Sequence, residues 1–118
     1  MIADDDALAR ALIEAIVERD TELELVACAE DAEGAIELAD EHRPDVAVLD
    51  WVMPGGGGPA ATREILIRSP ETKIVALTAS DEREEMSDSI RAGARQAVVK
   101  GCPPEELLRT IRAAGTSS

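Results

Sequence analysis

Val46-Ala47-Val48-Leu49-Asp50-Trp51-Val52-Met53-Pro54-Gly55 is the stretch that decides the fold. Its four leading apolar residues are too few for a helix and too continuous for a strand with one wet face. They read as a strand buried on both sides, as in a parallel sheet, and the acid, proline and glycine that follow end it. Three more runs share the signature: Leu25-Val26-Ala27-Cys28, Ile74-Val75-Ala76-Leu77 and Ala97-Val98-Val99. Segments with helical spacing separate them. Leu8, Leu12 and Ile16 recur every four residues with Ala11 and Ala15 beside them. Ala35, Leu38 and Ala39, with Ile36 near the edge, mark a second helix, and Ile65 with Leu66 a third. Met86 and Ile90 mark a fourth, and Leu107, Leu108 and Ile111 a fifth. Pro44, Pro59, Pro70, Gly93 and Pro103-Pro104 punctuate the pattern where helices start or stop. Alternating strands and helices with short connections predict an α/β fold, a doubly wound five-stranded parallel sheet with helices on both faces.

The first strand is the weak point. Only Met1-Ile2-Ala3 precede an acidic run, and a strand lying mid-sheet, as in the order 2-1-3-4-5, should be longer. The expected domain spans 1–114 with a first strand cut short at its N-terminus and natural sequence upstream. Residues 115–118 read as a helix stop followed by a tail or linker.

Composition narrows the function. The 118 residues suit one domain. The chain is 45% hydrophobic with one Trp and no Phe or Tyr, so Ala, Val, Leu and Ile must build the core. Twelve basic against 25 acidic residues give a net charge of −13, which repels phosphate backbones, and bases would find almost nothing to stack on. Direct nucleic-acid binding by this segment is therefore not expected. Cys28 and Cys102 show no metal-ligand spacing with each other or with His42, and read as reduced thiols in a packing role. His42 suits the C-terminal end of a helix dipole. No apolar run is long enough for a membrane span and no secretory leader is visible. A cytoplasmic location is the expectation.

Ligands of open α/β sheets bind beyond the carboxyl ends of the strands. Those ends carry Asp4-Asp5-Asp6, Asp50, Thr78 and Lys100. Asp6 has a second reading, as the cap of the helix starting near Ala7. Crowded carboxylates repel and some must protonate unless a cation neutralises them. An oxygen-only ligand set points to a hard ion, and Mg²⁺ fits, with Mn²⁺ as the substitute. Thr78 and Lys100 supply a hydroxyl and a positive charge suited to phosphoryl oxygens. The set suggests phosphoryl transfer to a carboxylate.

Taken in order, Ile2-Ala3-Asp4-Asp5, Val48-Leu49-Asp50-Trp51-Val52-Met53-Pro54-Gly55, Ala76-Leu77-Thr78-Ala79 and Val98-Val99-Lys100 resemble a two-component response-regulator receiver domain, across essentially the whole chain. The resemblance implies the flavodoxin-like fold with strand order 2-1-3-4-5. It implies that Asp50 accepts a phosphoryl group from a sensor histidine kinase or phosphotransfer protein. Asp5, Asp50 and the backbone carbonyl of Val52 would bind Mg²⁺ directly, and Asp4 through water. Thr78 would move to a phosphoryl oxygen, Ala79 would leave access to the site, and Lys100 would pair with the phosphate. Asp5-Asp6 is an alternative functional pair, but Arg10 stands six residues after Asp4, where the family often has it.

Departures from the family pattern bear on mechanism. The aromatic residue that rotates inward on activation is replaced by Ala97, so any output signal must run through Thr78 and the backbone. Gly101 follows the lysine where the family often has proline, leaving a freer loop. Gly55 to Gly58 read as a mobile loop; with no following Lys-Ser or Lys-Thr they are not a nucleotide-binding loop. Val52 and Ser80 occupy the two positions that tune loss of the phosphoryl group. An apolar Val52 cannot orient water, so slow dephosphorylation is expected. Asp81, Glu82, Glu84, Glu85 and Asp88 around Arg83 read first as a solvated face, and otherwise as an acidic docking edge.

The expected function is a phospho-accepting signalling switch that catalyses only its own phosphorylation and dephosphorylation. Its output domain or partner would be reached through helix four, strand five and helix five, a surface that could also form a homodimer. Two rivals stand beside it. One is a pseudo-receiver that docks without phosphorylation. The other is a small aspartyl-phosphate phosphatase, which often needs a second acid two residues after the nucleophile, where this chain has Val52.

Overall fold

The computed structural model describes residues 1–80 and 82–116. Five strands, β1 (Ile2–Ala3), β2 (Cys28–Ala29), β3 (Val46–Asp50), β4 (Lys73–Thr78) and β5 (Gln96–Val99), alternate with five helices. The helices are α1 (Ala7–Glu18), α2 (Ala32–His42), α3 (Gly57–Arg68), α4 (Arg83–Ala92) and α5 (Pro104–Thr116). All strand pairs are parallel and the order is β2-β1-β3-β4-β5, the predicted topology.

Strand alternation splits the core into two layers. Ala47, Leu49, Ile74 and Ala76 point to one face, where Ala32, Ala35, Ala39, Ala61 and Ile65 of α2 and α3 cover them. Val48, Val75, Leu77 and Val98 point to the other, against Ile13, Val17, Leu107 and Ile111 of α1 and α5. Alanine on both sides of the first layer lets backbones approach closely, which is how the core closes without Phe or Tyr. Trp51 fills the rim end of that layer. Its ring lies so close to Gly58 that a Cβ there would stand 2.3 Å from Cε3.

Local chemistry sets the helix starts. Asp6 caps α1 by accepting from the amides of Leu8 and Ala9 at 3.0 and 3.3 Å. Asp31 caps α2 by accepting from Gly34 at 2.7 Å.

Several expectations need correction. Leu8, Ala11, Leu12 and Ala15 of α1 are exposed, and the buried residues are Ile13 and Val17. An equally spaced second stripe won, because its β-branched side chains meet Ile2 and Val48. In α4 the buried residue is Ser89, and Ile90 is 48% exposed. Leu25 to Ala27 do not form strand, since β1 begins only at Ile2 and offers them no longer ladder. A cavity of about 390 Å³ opens there, lined by Met1, Val17, Leu23, Val26 and Val46 among others. Gly57 and Gly58 form the first turn of α3 and are buried, so only the front of the glycine run is loop. The helix stop expected at Gly115 is absent: α5 continues to Thr116. The tail residues 117–118 lie outside the described residues, as does Asp81 of the acidic cluster.

Candidate functional site

The rim at the carboxyl edge of the sheet is assembled by four strand ends. Asp4 and Asp5 follow β1, Asp50 ends β3, Thr78 ends β4 and Lys100 follows β5. Register brings them level: Ala3 pairs with Leu49, Asp50 with Leu77, and Thr78 with Val99. Carboxylate oxygens of Asp4, Asp5 and Asp50 lie within 4.8 Å of one another. Asp4 is fully buried and Asp50 nearly so, whereas Asp5 is exposed.

Lys100 spans the two buried acids. Its Nζ donates to Asp4 Oδ1 at 3.0 Å and to Asp50 Oδ2 at 2.9 Å. Asp4 is held further by the Asp6 amide, which donates to Oδ1 at 2.9 Å, and by Arg10, which donates to its carbonyl at 2.8 Å. Asp6 itself is committed to capping α1, so the acidic pair at the rim is Asp4 and Asp5. Among the described residues, Asp50 Oδ1 receives only a long bond, from the Val52 amide at 3.4 Å.

Burial pushes the Asp50 carboxyl above its ordinary range. The Lys100 hydrogen bond opposes that rise and the charge on Asp4 adds to it. For Lys100 burial works downward, but its bonds to Asp50 and Asp4 outweigh burial and raise it. One ammonium therefore faces three carboxylates. Asp4 Oδ2, buried, accepts no hydrogen bond among the described residues, although Nζ lies 2.9 Å away. Three carboxylates within 4.8 Å of one another, with one ammonium among them and no histidine or cysteine in the cluster, fit a hard divalent cation such as Mg²⁺.

Thr78 is buried and its hydroxyl is turned away from Asp50. It donates to the Ser80 carbonyl at 2.9 Å, with the Val98 carbonyl at 3.3 Å. Ala79 is exposed and Ser80 half-buried. Val52, two residues after Asp50, is 71% exposed. Ala97 is half-buried and packs on the α2–α3 layer. Gly101 turns the chain after Lys100 with φ of +89°. One residue took a place the sequence did not announce. Glu85, read as part of a solvated acidic face, accepts from the Ala79 amide and from Ser80 Oγ. Only knowledge of how α4 is rotated would have found it.

Away from the rim, neither cysteine is paired. Burial, then a bond to Glu14, pushes the Cys28 thiol up to about 11, and burial raises Cys102 as well. Neither is a thiolate at neutral pH. Among the described residues no helix is long and apolar enough to cross a membrane.

Known proteins share this fold and part of this sequence. The chain is 39% identical over 113 residues to the oxygen regulatory protein NreC of Staphylococcus epidermidis, covering 95% of this chain and 52% of that protein. It thus spans about half the length of the curated relatives it matches. It is similar to the signal receiver domain of the putative response regulator NarL from Mycobacterium tuberculosis (TM-score 0.93, 25% identity, 99% of this chain and 94% of that one). It is also similar to a two-component response regulator of the LuxR family from Aurantimonas (TM-score 0.91, 33% identity, 98% and 82%). Residues 1–112 match the response regulator receiver domain as a family. With strand order and sequence in agreement, the chain belongs to the response-regulator receiver family of two-component signalling.

Proposed function

We propose that Asp50 is the phospho-acceptor of a Mg²⁺-dependent signalling switch. The observation that carries this is the rim itself: a nearly buried aspartate with a raised pKa, one ammonium at 2.9 Å, and two further carboxylates within 4.8 Å. An Asp50 oxygen attacks the phosphorus of a phosphohistidine or a small phosphodonor. The new P–O bond makes an acyl phosphate, and the donor's P–N or P–O bond breaks with its electrons leaving on the donor. Lys100 then transfers its hydrogen bond from the carboxylate to a phosphoryl oxygen. Thr78 turns from the Ser80 carbonyl to another. Asp5, Asp50 and the Val52 carbonyl would hold Mg²⁺, with Asp4 acting through water; the ion would neutralise charge on the acids and the transferring group.

The partners follow from the same reading. A histidine kinase or phosphotransfer protein must bring its histidine over Asp50, and the exposed stripe Leu8, Ala11, Leu12 and Ala15 beside the rim offers it an apolar surface. Output would pass through α4, β5 and α5, either to a further domain or to a partner protein, in the cytoplasm.

Incubation with acetyl phosphate and Mg²⁺ followed by intact mass tests the proposal. A gain of about 80 Da that needs Mg²⁺ and disappears in Asp50→Asn is the expected result. No adduct from any donor would instead favour a receiver fold used only for docking.

A further inference from the structure

The β4–α4 connection holds hydrogen bonds to Glu85 that the proposed transfer does not use. The Trp51 amide donates to the Leu77 carbonyl at 2.9 Å, on the β3 side of β4. The Lys100 amide donates to the Thr78 carbonyl at 2.7 Å, on the β5 side. Backbone groups alternate between neighbours along a strand, so the next amide, that of Ala79, is directed back toward β3 and the end carrying Asp50. A side chain takes it there. Glu85 Oε1 accepts from the Ala79 amide at 3.1 Å, and Oε2 accepts from Ser80 Oγ at 3.2 Å. Ser80 in turn accepts the Thr78 hydroxyl on its carbonyl at 2.9 Å, and the Glu82 amide on Oγ at 3.4 Å.

An anionic carboxylate thus occupies a donor aimed at the acceptor end of the sheet. Through Ser80 it also supports the conformation that keeps the Thr78 hydroxyl away from Asp50. A phosphoryl group on Asp50 would bring several negatively charged oxygens to this rim, and each needs a donor. Lys100, the Val52 amide, the Thr78 hydroxyl and the Ala79 amide are the donors at hand. Glu85 and Ser80 hold the last two.

We propose that Glu85 is an internal stand-in for the phosphoryl group. Its carboxylate holds the Ala79 amide while Asp50 is unmodified, and a phosphoryl oxygen displaces it, releasing the first turn of α4. The inference rests on the phospho-acceptor reading and adds to it a residue on which loading and the movement of α4 both depend. Glu85 is a positioning residue: it touches the loop that meets the phosphoryl group, not the group itself.

The test is a titration with beryllofluoride, a phosphoryl mimic, in the presence of Mg²⁺, read by the fluorescence of Trp51, the chain's one aromatic residue. Rates of acetyl phosphate labelling are measured alongside. Glu85→Ala should bind beryllofluoride about five- to tenfold more tightly than wild type, because the competing charge-assisted bond is gone. Glu85→Gln, which keeps the shape and an acceptor oxygen but not the charge, should fall between. Glu84→Ala removes the same charge from the same helical turn and should stay within about twofold of wild type. Unchanged or weaker binding in both Glu85 variants would overturn the proposal, and so would an equal gain in Glu84→Ala, which would reduce the effect to general charge. A wild-type protein that takes neither beryllofluoride nor an acetyl phosphate adduct would fail the phospho-acceptor reading itself, a result distinct from equal binding by wild type and variants.

Discussion

Replacing Asp50 with Asn asks whether the rim without metal is held against its own repulsion. Carboxylate oxygens of Asp4, Asp5 and Asp50 lie within 4.8 Å of one another. Two unit charges that far apart repel by about 3.5 kcal/mol at an effective dielectric constant of about 20. Asp50 has two such neighbours and one ammonium at 2.9 Å, an attraction worth about 5.7 kcal/mol on the same scale. Water around the exposed Asp5 weakens its share, while burial of Asp50 adds a cost. The balance is a net penalty of order 1 kcal/mol for ionised Asp50. The raised pKa of Asp50, caused first by burial, has the matching sign. A carboxyl whose folded value lies above its unfolded value is favoured when protonated, so its penalty is absent in acid and complete once pH exceeds the folded value. Asp50→Asn should therefore melt about 4 °C above wild type at neutral pH in EDTA, given an unfolding entropy of about 250 cal/mol/K for this length. Mg²⁺ at ten times its dissociation constant should stabilise wild type by about 1.4 kcal/mol, about 6 °C, and the variant by much less. Thermal unfolding followed by circular dichroism, with EDTA and with Mg²⁺, measures both shifts. A variant that melts below wild type in EDTA and gains as much from Mg²⁺ would refute the reasoning.

Three further outcomes follow, two from the rim and one from the opposite edge of the sheet. Val52 is 71% exposed beside the acceptor; Val52→Asn supplies a group that can orient water and should speed loss of the phosphoryl adduct about fivefold, measured as decay of the mass gain. Leu8 and Leu12 are 72% and 59% exposed. Leu12→Glu should slow transfer from a phosphorylated histidine phosphotransfer protein by about tenfold or more and leave labelling by acetyl phosphate unchanged. Three apolar residues added before Met1 should run on from β1 along the 390 Å³ cavity and raise the melting temperature, whereas a Gly-Ser extension should not. Equal melting of the two extended proteins would count against a slot for strand there.

What the sequence made legible, and what it did not, divides along physical lines. β3 and β4 were readable because a strand covered on both faces needs apolar residues at consecutive positions, and little else produces Val46 to Leu49 or Ile74 to Leu77. Asp4, Asp5, Asp50 and Lys100 were readable as a group because a parallel sheet delivers its strand ends to one edge. The face of α1 was not. Leu8, Leu12 and Ile16 repeat every four residues, and so do Ala9, Ile13 and Val17, about one position round the helix. Periodicity gives the helix but not its rotation, and the choice was made by packing on Ile2 and Val48. Leu25 to Ala27 have strand composition, yet a strand is a property of two paired segments, and the β1–β2 ladder runs only from Ile2–Cys28 to Ala3–Ala29, with a further bond from the Ile2 amide to the Ala27 carbonyl. Glu85 escaped for the same reason as α1: its role depends on which way one turn of α4 faces.

That turn matters for how a small chemical event could reach the surface. Ser89 is the one buried residue of α4 among those described, whereas α5 buries Leu107, Ile111 and Ala114. Little apolar area fixes α4 in place, so shifting it costs little. Its first turn is tied to β4 by the bonds from Ala79 and Ser80 to Glu85. Each such bond is worth about 1–2 kcal/mol net, comparable to what one or two phosphoryl oxygens gain from the same donors. The exchange is thus close to balanced, and a weakly anchored helix can follow it. With Ala97 where a bulky ring would otherwise couple β5 to the rim, on the proposed reading movement of the β4–α4 loop would be the route by which occupancy of Asp50 alters the α4 face.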